Sequence, residues 1–178
     1  AVEFSWMYEY KAVSAANLVI GNLYRAGLPE ERYRFYMGQA LCIRAYLYFQ
    51  IIRLWGDAPL VLEYEDISEK GRTPWREIAG HIVADLLLAA EYLPPADQLK
   101  DSEGKPLTAR QIPARGTAYA VLAGVYAWIA GYGQEPEYYA LGIEAAGKVI
   151  SDPAYRLVAS PEEVCTEVLP GNSAEGIF

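Results

Sequence analysis

The chain has 178 residues, 53% hydrophobic and 21% charged, with a formal net charge of −8. That length suits one domain with a real core, and that balance excludes a disordered chain. The acidic surplus repels phosphate backbones and anionic headgroups, which argues against nucleic-acid binding and against a polybasic membrane patch.

A first helix is expected over residues 2–25. Trp6, Tyr10, Val13, Asn17, Ile20 and Tyr24 step by four and three and so share one face. Gly27 suits the residue just past its end. A second helix runs over 29–55, with Pro29 at its first position and Glu30 and Glu31 favouring the positive end of the dipole. Tyr36, Ala40, Ile43, Leu47, Ile51 and Leu54 make its stripe. Gly56 and Pro59 stop it. Residues 60–72 read as a loop in which Leu60, Val61 and Leu62 pair briefly as a strand, followed by the acidic run Glu63, Tyr64, Glu65 and Asp66.

A third helix spans 73–93, with Thr73 as N-cap and Pro74 as its first residue. Pro94 and Pro95 end it, and a polar loop covers 96–116, a length that is usually functional or mobile. The fourth helix starts near Thr117, with Leu122, Val125, Tyr126 and Ile129 on one side and small residues on another. In the fifth, Tyr139, Ile143, Ala146 and Ile150 share a face. Small residues opposite bulky ones let antiparallel helices approach closely, as in tetratricopeptide-like hairpins. Tyr155 to Val158 suits a short strand. The expected fold is therefore all-α: stacked antiparallel helical hairpins with long irregular loops.

Several residues stand out chemically. Arg44 lies in an apolar run, and a buried guanidinium needs a carboxylate; Asp57 and Asp85 are the candidates. Asn17, on an apolar stripe, needs hydrogen-bond partners in the same way. Asp57, between Gly56 and Pro59, suits a turn-fixing acceptor of loop amides. Trp75 and Trp128 read as core or interface. Cys42, in an apolar helix, reads as a buried thiol, and a disulfide to Cys165 stays open. His81 is the lone histidine, so neither a metal site nor a Ser–His–Asp arrangement is expected. No phosphate-cradling glycine loop is present, and no cofactor is expected. No apolar run is long enough to span a bilayer. The sequence opens on Ala1 without a signal-peptide pattern and stops at Phe178 on an apolar run, which predicts a piece of a longer polypeptide.

Four segments in order resemble one family. They are Trp6 to Ile20 with Ala16-Asn17 inside it; Gly38 to Phe49 running into Arg53-Leu54-Trp55-Gly56-Asp57-Ala58-Pro59-Leu60; Ile82 to Leu86 followed by Leu93-Pro94; and Arg115-Gly116-Thr117 into an alanine-rich helix, with Tyr155-Arg156-Leu157 and Glu175-Gly176-Ile177-Phe178 beyond it. Together they resemble the N-terminal region of the SusD/RagB family, across nearly all of residues 1–178. The match covers about the first half of a typical member; the C-terminal half, which completes the sugar site in many relatives, lies outside this sequence.

The resemblance implies a surface protein, lipid-anchored in the outer membrane of a Bacteroidetes-type bacterium and acting as a lid on a SusC-like TonB-dependent transporter. It implies oligosaccharide binding, or peptide binding in the RagB branch, and no catalysis. Cys42 and Cys165 lie too far inside the chain to carry the anchor. Relatives place sugar contacts near the acidic loop, which makes Tyr64, Glu63 and Asp66 ligand candidates, with Trp55 and Arg44 beside them. Asn17, Arg44, Gly56, Asp57, Pro59 and Asp85 then form the structural motif. The alternatives are a tetratricopeptide-like protein-interaction scaffold and an α-helical glycoside hydrolase. The hydrolase would need a marked carboxylate pair, and none is apparent.

Overall fold

The computed structural model describes residues 6–66, 68–107, 112–168 and 175–177. Five helices carry the fold: α1 (Met7–Asn22), α2 (Glu30–Trp55), α3 (Trp75–Tyr92), α4 (Arg115–Tyr132) and α5 (Tyr138–Ile150). Each packs on the next in chain order, and α2 also touches α4. The start of the predicted first helix, residues 2–5, lies outside the described residues. At its other end α1 tightens into a 3-10 turn, Leu23–Ala26, and stops at Gly27 in the left-handed conformation. The change of pitch carries Tyr24 off the predicted stripe and leaves it exposed.

The core lies between α2, α3 and α4. Ile51, Ile52, Ile78, Ile82, Leu86, Leu122 and Val125 are essentially inaccessible there. Burying such side chains contributes about 1.5–3 kcal/mol each before conformational entropy is subtracted.

Three local expectations change. Pro29 and Pro74 sit one residue before their helices rather than inside them. Thr73 does not cap α3; its backbone pairs with Ala58 in an isolated bridge. The cap comes from Asp57, whose Oδ1 accepts from the Trp75 amide at 2.9 Å. Residues 60–62 and 155–158 join no ladder, and among the described residues there is no strand, only two isolated bridges.

The fifth helix turns over relative to expectation. Gly142, Ala145 and Val149 face the protein. The bulky set points out, with Ile143 74% and Ile150 83% exposed. A Cβ on Gly142 would sit 3.5 Å from the Ala123 carbonyl of α4, so the slim face makes the close approach.

Both cysteines are free, Cys42 buried and Cys165 exposed, so the disulfide left open above is not formed. Burial pushes the Cys42 thiol up to about 12. An unfolded thiol ionises near about 8.5, so the stability gained by keeping Cys42 neutral is full below that value and is lost as pH rises toward 12. A thiol reagent at pH 8 should therefore modify Cys165 in the native protein and reach Cys42 only after denaturant is added. Rapid modification of both in the native state would contradict this packing.

Candidate functional site

A buried polar seam fixes the segment after α2. Arg44 donates from Nε to Asp85 Oδ2 at 2.7 Å and from Nη2 to Oδ1 at 2.8 Å, a bidentate pair between α2 and α3. Its Nη1 donates to Asn17 Oδ1 at 2.9 Å and to the Leu62 carbonyl at 3.3 Å. Asn17 Nδ2 in turn donates to the Val61 carbonyl at 2.8 Å. The Tyr48 hydroxyl donates to the same carbonyl at 2.9 Å and accepts from the Val61 amide at 2.8 Å. Tyr10 donates to the Pro59 carbonyl. Residues 59–62 thus lie across α1 and α2, their backbone satisfied by side chains instead of a neighbouring strand. Burial raises the pKa of both phenols, which keeps them protonated as donors.

This geometry sorts the predicted residues. Of the two carboxylates expected for Arg44, Asp85 holds it and Asp57 caps α3. Arg44 was also a ligand candidate; all three of its nitrogens are bonded inside the fold. Gly56 adopts φ +69°, a conformation that favours glycine, and so turns the chain from α2 into the segment carrying Asp57 and Pro59.

In the acidic loop, Glu63 is exposed and the half-buried Tyr64 ring lies along Gly21 of α1. The Tyr64 hydroxyl donates to Glu65. Asp66 closes the loop on itself, bonded to Lys70 and to the hydroxyl and amide of Ser68. Lys70 first, and then Ser68, hold its carboxyl down to about 2.

All four tryptophans gather at one end of the helix stack. Trp6 begins α1, Trp55 ends α2, Trp75 begins α3 and Trp128 lies near the end of α4, and antiparallel succession brings those ends together. The Trp6 and Trp55 rings are 6.0 Å apart, and Trp75 and Trp128 are 4.9 Å apart. Arg72 lies over Trp6 and bonds the Asp57 carbonyl, linking the two pairs. No local sequence signal marks this gathering, because it arises from topology.

Two hollows flank the stack. One, of about 790 Å³, lies between the start of α2, the end of α3 and the turn at residues 101–104, with Arg32, Phe35, Tyr92, Asp97 and Arg115 among its walls. Within the expected polar loop this turn is shaped by Asp101, whose Oδ1 accepts from the Glu103 and Lys105 amides, and by Gly104, which takes φ +82°. The other, about 460 Å³, lies over α4 between α3 and α5 and opens beside Trp75 and Arg76. Among the described residues no group of His, Cys, Asp and Glu is placed to hold a metal ion. Nor is any helix among them long and apolar enough to cross a membrane.

Comparison with known proteins gives a consistent result. Residues 2–127 match a SusD-like family described as starch-binding and associating with the outer membrane. SusD-like protein P2 of Formosa agariphila is 31% identical over 125 residues, 68% of this chain and 23% of that protein. A SusD homologue from Bacteroides thetaiotaomicron superposes with a TM-score of 0.82 at 20% identity, covering 92% of this chain and 32% of its own. A further structure, described as containing xylogluco-oligosaccharide, superposes with a TM-score of 0.80 at 20% identity, covering 97% of this chain and 34% of its own. The chain thus spans about a quarter of the length of that curated relative and about a third of those solved structures. The family match over most of the chain, and the helical stack that carries it, establish that this chain belongs to the SusD-like family.

Proposed function

We propose that the chain is the helical part of a surface protein that captures oligosaccharides for uptake and does not cut them. One observation carries the reading: a family described as starch-binding is matched by a chain whose four tryptophans meet at one end of the stack. Flat indole faces suit the C–H faces of pyranose rings, and carboxylates and amides accept from their hydroxyls. Tyr64, packed at Gly21 near the far end of α1, and the exposed Glu63 are the loop's contribution, and Trp55 belongs to the tryptophan end. Asp66 acts by holding the loop's shape. The xylogluco-oligosaccharide in one structural neighbour supports a glycan as cargo.

The finer parts of the proposal are a lipid anchor outside residues 1–178 and docking on a SusC-like TonB-dependent transporter. The bare outer face of α5 favours packing against further protein, since end helices of a free-standing stack carry a polar outer side.

Affinity electrophoresis in gels containing starch, xyloglucan or mannan tests the reading. The chain should be retarded by at least one of them, and Tyr64→Ala should be retarded less while melting at the wild-type temperature. Equal retardation of Tyr64→Ala would remove Tyr64 from the site. Unretarded migration of wild type in every gel, with tight binding to an extended peptide instead, would favour the peptide-binding branch.

A further inference from the structure

We infer that Tyr132, backed by Trp128 and Trp75 and edged by Arg76 and Glu135, forms a stacking subsite for one pyranose ring of a neutral oligosaccharide. This rests on the glycan-capture reading and gives it a second place on the surface, separate from the acidic loop.

Tyr132 is 62% exposed, yet it is held rather than loose. Its ring stacks on Trp128, one helical turn earlier, at 4.8 Å and 16°. Trp75 meets both rings edge-on, at 4.9 Å and 5.5 Å, and Phe49 braces Trp128 from α2 at 6.2 Å. An ordinary exposed tyrosine must give up rotamer freedom to stack on a ligand, whereas this one is already ordered, with its inner face occupied and much of its surface open to solvent.

The polar edge is equally fixed. Arg76 lies over Trp75 at 4.4 Å, donates from Nε to Glu135 Oε1 at 2.8 Å and from Nη2 to the Gly133 carbonyl at 3.0 Å. A guanidinium has five donors and these bonds use two, so the Arg76–Glu135 pair keeps capacity for vicinal hydroxyls. The turn joining α4 to Glu135 is strained to achieve this. Gln134 takes φ +59°, the only left-handed residue other than glycine among those described. Gly133 is required as well, because a Cβ there would come within 2.5 Å of the Ile129 carbonyl and 3.0 Å of the Trp75 ring. Strain and a required glycine thus hold Glu135 against Arg76 beside the stacked rings. The adjoining groove of about 460 Å³, floored by Tyr126 and Ile129, falls in the size range of small-ligand sites and gives neighbouring sugar units a path along the surface.

Calorimetry of the chain against maltoheptaose, a xyloglucan heptasaccharide and mannohexaose tests the assignment. For the sugar that wild type binds, Tyr132→Ala should weaken affinity by about tenfold, as expected for loss of one aromatic stacking partner. Tyr132→Phe should stay near wild type, and Glu135→Gln should weaken binding with its melting temperature unchanged. Wild-type affinity in both Tyr132→Ala and Glu135→Gln would overturn the subsite and leave glycan capture standing. No heat with any of the three sugars in wild type would count against glycan capture, and the subsite would fall with it.

Discussion

Asp85→Ala should destabilise the protein by about 3–5 kcal/mol, because it leaves a buried guanidinium without its counter-charge. The side chains of Arg44 and Asp85 are only 9% and 14% exposed, so water can do little to replace the lost carboxylate. The damage should spread beyond the pair. Arg44 also donates to Asn17 and to the Leu62 carbonyl, and Asn17 holds Val61, so an unanchored guanidinium releases the segment that leads into the acidic loop. In a chain of this size the loss should lower the melting temperature by roughly 10 °C. The double variant Arg44→Met/Asp85→Leu should recover much of the stability, since an apolar pair of similar volume has no charge to desolvate. Recovery should be incomplete, because Asn17 Oδ1 and the Leu62 carbonyl lose their donor. Urea unfolding of the three proteins checks this. A single variant within about 1 kcal/mol of wild type would mean that the pair behaves as a solvated surface bridge.

Gly38→Val should cost about 3 kcal/mol. A Cβ at Gly38 would fall 2.9 Å from Leu93 Cγ and 3.2 Å from Tyr92 Cβ, where α2 crosses the end of α3. Neither atom is the far end of a flexible side chain. Leu93 is fully buried, its amide bonds the Ala89 carbonyl, and its own carbonyl accepts from Arg115. The neighbour has no room to yield, and β-branching adds crowding within the helix. Gly147→Ala on α5 is the control. Nothing lies within 4 Å of a Cβ there, so that change should stabilise by about 0.5–1 kcal/mol through helix propensity alone. Opposite signs at these two glycines would establish close helix contact as the cause. A gain at both would place α2 and α3 farther apart than described.

Much of this architecture was written in periodicity. The three-four stripes of α1, α3 and α4 and the breaks at Gly27, Gly56 and Pro94 are local signals, and the helices follow them closely, whereas in α2 the expected stripe members Ile43 and Leu54 are exposed and the buried face runs through Leu41, Cys42, Tyr48 and Ile52. Arg44 in an apolar run demanded a buried carboxylate, but choosing Asp85 over Asp57 required knowing which helices are neighbours. Asp57 instead caps a helix 18 residues away, where Thr73 offered the obvious local alternative. The α5 face was misread because both of its sides are apolar. A periodic stripe of Ile143 and Ile150 looks buried, yet the helix packs through Gly142 and Ala145, whose small size permits the tighter contact. The candidate site was the least legible part. Trp6, Trp55, Trp75 and Trp128 are scattered over more than 120 residues, and only alternation of helix direction brings them together. Gly131, Gly133 and Pro136 mark the turn at Gln134 as a break between helices, but nothing in the sequence marks the left-handed conformation that Gln134 takes.

Because every tryptophan lies at one end of the stack, indole fluorescence reports directly on where a sugar binds. Titration with the oligosaccharide that wild type binds by calorimetry should shift and saturate the emission at the same affinity, and the shift should weaken in Tyr132→Ala. Calorimetric binding that leaves the emission of all four tryptophans untouched would move capture away from this end and contradict the account.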